Sequence, residues 1–133
     1  MGAKKILVID DEEKVLSLVQ LILSKEGYVV VTAKNSAEAI QMFQKERPDL
    51  IVADVMLPDM NGAEVVKLLQ TEKGCKAPVI FFTGMISKKD EVENQLTIHI
   101  EEQNFPTLAK PFRNSDLLEL IKKELGKSPE KVH

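Results

Sequence analysis

Residues 6–9, 28–32, 50–53 and 79–82 form short runs that are almost wholly apolar, aromatic or β-branched, and segments whose apolar residues recur at helical spacing separate them. Runs of that length and composition are strands, and a strand that is apolar throughout has both faces covered. The alternation predicts repeated strand-helix-strand units: an α/β chain whose parallel sheet carries helices on both faces.

Local signals place the elements. Val15, Leu18, Val19 and Ile22 mark a first helix that Gly27 ends. Ser36 is read as the cap of a second helix carrying Ala37, Ile40 and Phe43, which Pro48 closes. Pro58, Asn61 and Gly62 make a loop before a helix with Val65, Val66, Leu68 and Leu69. Asn114 or Ser115 is read as the cap of a last helix with Leu118, Ile121 and Leu125 on its stripe. Between these, Ser87 and Asp90 fit a capping box for a short helix holding Val92 and Leu96. Ile98 and Ile100 alternate with polar residues, 101–104 is turn-like, and 105–109 is the final core strand. The expectation is a hairpin in which residues 97–100 add an antiparallel edge to the fifth strand.

The chain has 133 residues, the size of one domain, expected over residues 1–126 with a short polar tail at 127–133. Its net charge is −3 and its Lys and Arg are dispersed, which gives no electrostatic reason to expect nucleic acid or an anionic membrane as a direct partner. Cys75 is the only cysteine, so no internal disulfide forms. With no apolar stretch of signal-peptide or membrane-span length, the expected compartment is the cytoplasm. His99 and His133 lack metal-ligand spacing with each other or with Cys75.

Chemistry is concentrated at the strand ends. Asp10 and Asp11 follow the first run, Asp54 the third, Thr83 and Gly84 the fourth, and Lys110 and Pro111 the fifth. An open parallel sheet gathers those ends into one crevice. Taken singly, each has an ordinary explanation: acids begin helices, Thr favours strands, and Lys is usually exposed. Together they are complementary. Adjacent carboxylates repel unless a cation offsets them, and Mg²⁺ is commonly held by one or two carboxylates plus a phosphate. A carboxylate can attack phosphorus when a cation and an ammonium neutralise the transferring group, and a hydroxyl can donate to its oxygens.

With these residues placed, the chain resembles a response-regulator receiver domain, the phosphoacceptor module of two-component signalling. The resemblance covers nearly the whole chain and rests on residues 6–12, on 54–62 with Pro58 and Gly62 four and eight positions after Asp54, on Thr83-Gly84 and on Lys110-Pro111-Phe112. It implies a doubly wound five-stranded parallel sheet in the order 2-1-3-4-5. It also implies Asp54 as phosphoacceptor, Asp10, Asp11 and Asp54 with the backbone carbonyl of Met56 as ligands of Mg²⁺ or Mn²⁺, Thr83 as switch hydroxyl and Lys110 as phosphate partner. The implied partners are the phosphohistidine of a histidine kinase or phosphotransfer protein and a downstream protein target, with a dimer on phosphorylation as a further outcome. One departure stands out: the family's aromatic switch position, three before the lysine, holds Thr107, and Phe105 lies two residues too early. The competing reading is a dehalogenase-like phosphatase, which wants a second Asp two residues after its nucleophile. Here that position is Met56. A receiver-shaped interaction module without phosphorylation is a third reading, and the complete acidic and lysine set counts against it.

Overall fold

In β1 (Lys5–Ile9) the side chains alternate between two layers: Ile6 and Val8 enter one core, Leu7 and Ile9 the other, and all four are buried. The same division holds in β3 (Leu50–Asp54), with Leu50 and Val52 against Ile51 and Ala53, and in β4 (Val79–Thr83), with Ile80 and Phe82 against Val79 and Phe81. This is why the inner strands read as unbroken apolar runs: both faces are dry. Each fully buried large side chain of this kind contributes roughly 1.5–3 kcal/mol relative to exposure.

The computed structural model describes residues 3–83, 97–100, 103–110 and 112–126. The remaining elements are α1 (Glu13–Lys25), β2 (Val29–Ala33), α2 (Ser36–Glu46), α3 (Gly62–Glu72), β5 (Thr97–Ile100), β6 (Gln103–Ala109) and α4 (Asn114–Leu125). Leu16, Val19, Ile22 and Leu23 of α1 and Leu117 and Ile121 of α4 close one face of the sheet. Ala39 and Phe43 of α2 with Val65, Val66 and Leu69 of α3 close the other. The sheet order is β2-β1-β3-β4-β6-β5. Its five parallel strands follow the expected 2-1-3-4-5 order, with β6 as the fifth of them.

The hairpin is present. β5 pairs antiparallel with β6, Ile98 opposite Phe105 and Ile100 opposite Gln103. Pro106 comes just before Thr107, the first β6 residue paired with β4, so its missing N–H interrupts no parallel ladder. Gln103 and Asn104, expected in the turn, belong to the strand. The short helix expected from Ser87 to Leu96 lies outside the described residues, as do Gly84, Pro111 and the tail.

Several cap and stripe assignments move by a residue. Asn35, not Ser36, caps α2: its side-chain oxygen accepts from the Glu38 N–H at 2.9 Å, because Asn35 is the residue with extended backbone at the chain's entry to the helix. Neither Asn114 nor Ser115 caps α4; the N-cap is Arg113, which makes no side-chain cap bond, and Asn114 is already helical. On α1, Leu18 is 49% exposed and Leu16 takes the inward place, while on α4 Leu117 is fully buried and Leu118 only partly.

Lys5 Nζ lies 2.9 Å from Glu46 Oε1, joining β1 to the end of α2, and this hydrogen bond holds the Glu46 carboxyl below its ordinary value of 4.5. A depressed folded value means stabilisation that is present above the unfolded pKa and lost as pH falls through the folded one. We expect Lys5→Met to return Glu46 to the ordinary glutamate range and to lose this part of the stability difference near neutral pH, with the two proteins converging as pH falls below 4.5. Carboxyl-carbon NMR titration checks it; an unchanged Glu46 titration in the variant would contradict the assignment.

Candidate functional site

At the carboxyl edge β1, β3 and β6 are each prolonged by one hydrogen bond beyond the ladder. Asp10 N–H donates to the Ala33 carbonyl at 3.0 Å, Val55 N–H to Phe82 at 3.0 Å, and Lys110 N–H to Thr83 at 2.8 Å. These bonds tie the end of β1 to β2 and the ends of β3 and β6 to β4, and the parallel sheet brings residues up to a hundred positions apart to one edge.

Lys110 is the hub. Its ammonium lies 2.8 Å from Asp10 Oδ2, 3.0 Å from Asp54 Oδ2 and 3.5 Å from Glu12 Oε1. The second oxygen of each buried carboxylate is held by its own loop: Asp10 Oδ1 accepts from the Glu12 N–H and Asp54 Oδ1 from the Met56 N–H, both at 2.9 Å. Asp11 is exposed, yet one oxygen from each of Asp10, Asp11 and Asp54 can be chosen so that all three lie within 4.8 Å of one another. Burial raises the pKa of Asp10, and the charge of Asp54 adds to the rise while Lys110 and the Glu12 N–H oppose it. For Lys110 burial acts against the ammonium, but the hydrogen bonds to Asp10 and Asp54 prevail and its pKa is raised. Lys110 is therefore charged, and the site still carries more carboxylates than ammonium groups. Such an excess of hard oxygen donors fits Mg²⁺ or Mn²⁺, which take carboxylate and carbonyl oxygens.

Thr83 Oγ1 is buried and has no hydrogen-bond partner among the described residues. Buried hydroxyls are rarely left so. Phe112 stacks on Phe82 with centroids 4.9 Å apart and planes at 17°, and the Lys110 ammonium lies 5.8 Å from the Phe82 ring centre. Met56 is 60% exposed. Thr107 pairs with Phe81 in the ladder, while Phe105 is buried edge-on against Phe81 at 5.6 Å. Phe105 is thus core, one pleat from the site, as its position in the sequence suggests.

Two contributions are not visible from motif spacing. Glu12 joins the Lys110 cluster, which depends on the rotamer of an exposed side chain. Asp59, in the loop after β3, reaches α2: its carboxylate accepts from the Ser36 N–H at 3.0 Å and the Ser36 hydroxyl at 2.5 Å. Those bonds, the hydroxyl's first, hold its pKa below the ordinary range. No helix among the described residues is long and apolar enough to cross a membrane.

Comparison with known proteins agrees with this geometry. The family model described as the response regulator receiver domain matches residues 6–122. The alkaline phosphatase synthesis transcriptional regulatory protein PhoP of Bacillus subtilis is 38% identical over 125 residues, 94% of this chain and 50% of that protein, so the chain spans about half the relative's length. Among solved structures, a CheY-like receiver domain protein from Methanospirillum hungatei superposes with a TM-score of 0.75 at 31% identity, covering 93% of this chain and 94% of the other. The chemotaxis protein CheY4 of Vibrio cholerae gives 0.78 at 30% identity, covering 92% and 99%. Sheet order, acidic cluster and family match converge: the chain belongs to the response-regulator receiver domains, the phosphoacceptor signalling modules of two-component systems.

Proposed function

We propose that Asp54 is the phosphoacceptor of this receiver, that Asp10, Asp11 and Asp54 with the Met56 carbonyl hold Mg²⁺ or Mn²⁺, and that Lys110 and Thr83 take the phosphoryl oxygens. The observation that carries the reading is the Lys110 ammonium bridging Asp10 and Asp54, with a buried hydroxyl at the end of the neighbouring strand that has no partner among the described residues. The donor is the phosphohistidine of a histidine kinase or phosphotransfer protein. An Asp54 oxygen attacks phosphorus; the O–P bond forms as the P–N bond breaks, and the electron pair returns to the leaving imidazole. The Met56 N–H on Asp54 Oδ1 fixes the carboxylate's rotamer for that attack. A bound cation supplies charge neutralisation for the transferring group.

Lys110 then exchanges its bond to Asp54 for one to the phosphoryl group, and the Thr83 hydroxyl donates to a phosphoryl oxygen. That new bond draws the end of β4 and its following loop into a second state, which a cytoplasmic protein target or a second copy of the chain reads. Hydrolysis of the aspartyl phosphate at the same site resets the switch, slowly, because the Met56 side chain cannot orient water.

Incubation with Mg²⁺ and acetyl phosphate followed by intact mass tests the reading. The expected result is a single phosphoryl group on the wild type and none on Asp54→Asn, which keeps the shape and removes the nucleophile. A phosphorylated Asp54→Asn would sink the assignment, and donor turnover without an adduct would favour a phosphatase.

A further inference from the structure

The loop of residues 55–61 carries the Met56 carbonyl, and its base is well held. Gly62 N–H donates to the Val55 carbonyl at 2.7 Å, Met56 and Asn61 form an antiparallel bridge, and Asn61 caps α3 through the Ala63 N–H at 2.7 Å. All of these bonds are internal to the loop and its own helix. Leu57 and Met60 lean on the core shared with α2 and α3, but apolar contact does not fix orientation. At the loop's first residue the Val55 N–H is tied to the Phe82 carbonyl of β4, and beyond it the polar tie to a different element among the described residues is Asp59, bonded through both carboxylate oxygens to Ser36, 23 residues away. Ser36 is 5% exposed and sits in the first turn of α2, where N–H groups lack helical partners and the dipole favours an anion. Helix α2 is itself anchored by Ala39 and Phe43.

We propose that Asp59 is a positioning residue for the cation site: by clamping Ser36 it fixes the loop that presents the Met56 carbonyl. The inference rests on the reading of the site given above. Mg²⁺ demands near-ideal octahedral geometry, so a carbonyl that wanders costs affinity even when all carboxylates are in place. Partners that orient a ligand are worth a substantial part of metal affinity.

Calorimetric titration of the full chain with Mg²⁺, paired with thermal melts, separates positioning from charge. Asp59→Ala is expected to bind Mg²⁺ about tenfold more weakly and Ser36→Ala about threefold more weakly, since Ser36→Ala keeps every charge and one of the two clamp bonds. Asp59→Asn, which retains an acceptor oxygen, is expected between wild type and Asp59→Ala. The double variant is expected to match Asp59→Ala, because the two residues act through one contact. Lower melting temperatures with wild-type Mg²⁺ affinity in both single variants would overturn the proposal and leave the clamp merely structural. Weakened binding in Asp59→Ala and Asp59→Asn alike, with Ser36→Ala unaffected, would also overturn it by making Asp59 a remote charge. Failure of the wild type to bind Mg²⁺ would overturn the cation reading itself, and is recognised without any variant.

Discussion

Lys110→Ala is expected to destabilise the cation-free protein by about 3 kcal/mol, because it leaves two carboxylates that are almost fully buried, Asp10 and Asp54, without their shared counter-charge. Breaking a buried pair from one side costs more than the pair is worth, since the remaining charges lose their counter-charge and each keeps only one backbone N–H among the described residues. The variant's remedy is the cation. Mg²⁺ bound as proposed would meet the Asp10 and Asp54 carboxylates with no ammonium competing for them, so affinity should hold or rise, and saturating Mg²⁺ should recover more stability than it adds to the wild type. Phosphorylation should not recover. Removing a charged donor from a transferring group costs on the order of 100-fold in rate. Urea melts with and without Mg²⁺ and acetyl-phosphate kinetics by intact mass measure both sides. Parallel loss of Mg²⁺ affinity in Lys110→Ala would contradict the division between a carboxylate-built cation site and an ammonium that serves the phosphoryl group.

Strand ends were readable because their chemistry is positional: a parallel sheet must place Asp10, Asp54, Thr83 and Lys110 at one edge once the strands are recognised, and apolar runs covered on both faces are hard to mistake. The antiparallel edge at Thr97–Ile100 was readable for a related reason, since Ile98 and Ile100 alternate with polar neighbours at period two. Caps were less so. Asn35 and Ser36 are both good capping residues and adjacent; only the extended backbone at Asn35 decides which one caps, and sequence does not contain that dihedral. Leu117 and Leu118 pose the same problem, because a one-residue rotation of α4 exchanges the buried for the half-buried leucine and either fits a helical stripe. Side-chain reach was not readable at all. Glu12 on Lys110 and Asp59 on Ser36 depend on rotamers and on how α2 sits beside the loop, and neither leaves a periodic trace in the chain.

Gly62→Ala is expected to act on the fold and on the site together. Gly62 opens α3, and a methyl group added there would overlap the backbone carbonyl oxygen of Asp54 and stand 3.1 Å from the Val55 Cα. Its glycine is required by close approach. The obstructing atoms are backbone, so no side chain can swing aside; the 55–61 loop must lift from the end of β3, stretching the 2.7 Å bond from Gly62 N–H to the Val55 carbonyl. Overpacking of this kind costs about 3 kcal/mol. Because the displaced atoms include the Asp54 backbone and the loop bearing Met56, Mg²⁺ affinity is expected to fall about tenfold at the same time. Gly27→Ala supplies the contrast. Gly27 has φ +92° and open space around its missing Cβ, so alanine there meets only backbone strain, about 1–2 kcal/mol, far from the acidic cluster. Denaturant melts and Mg²⁺ titrations on the two variants should therefore show stability lost in both and cation affinity lost only in Gly62→Ala. If Gly62→Ala binds Mg²⁺ like the wild type, the approach of α3 to β3 is not what holds the site in register.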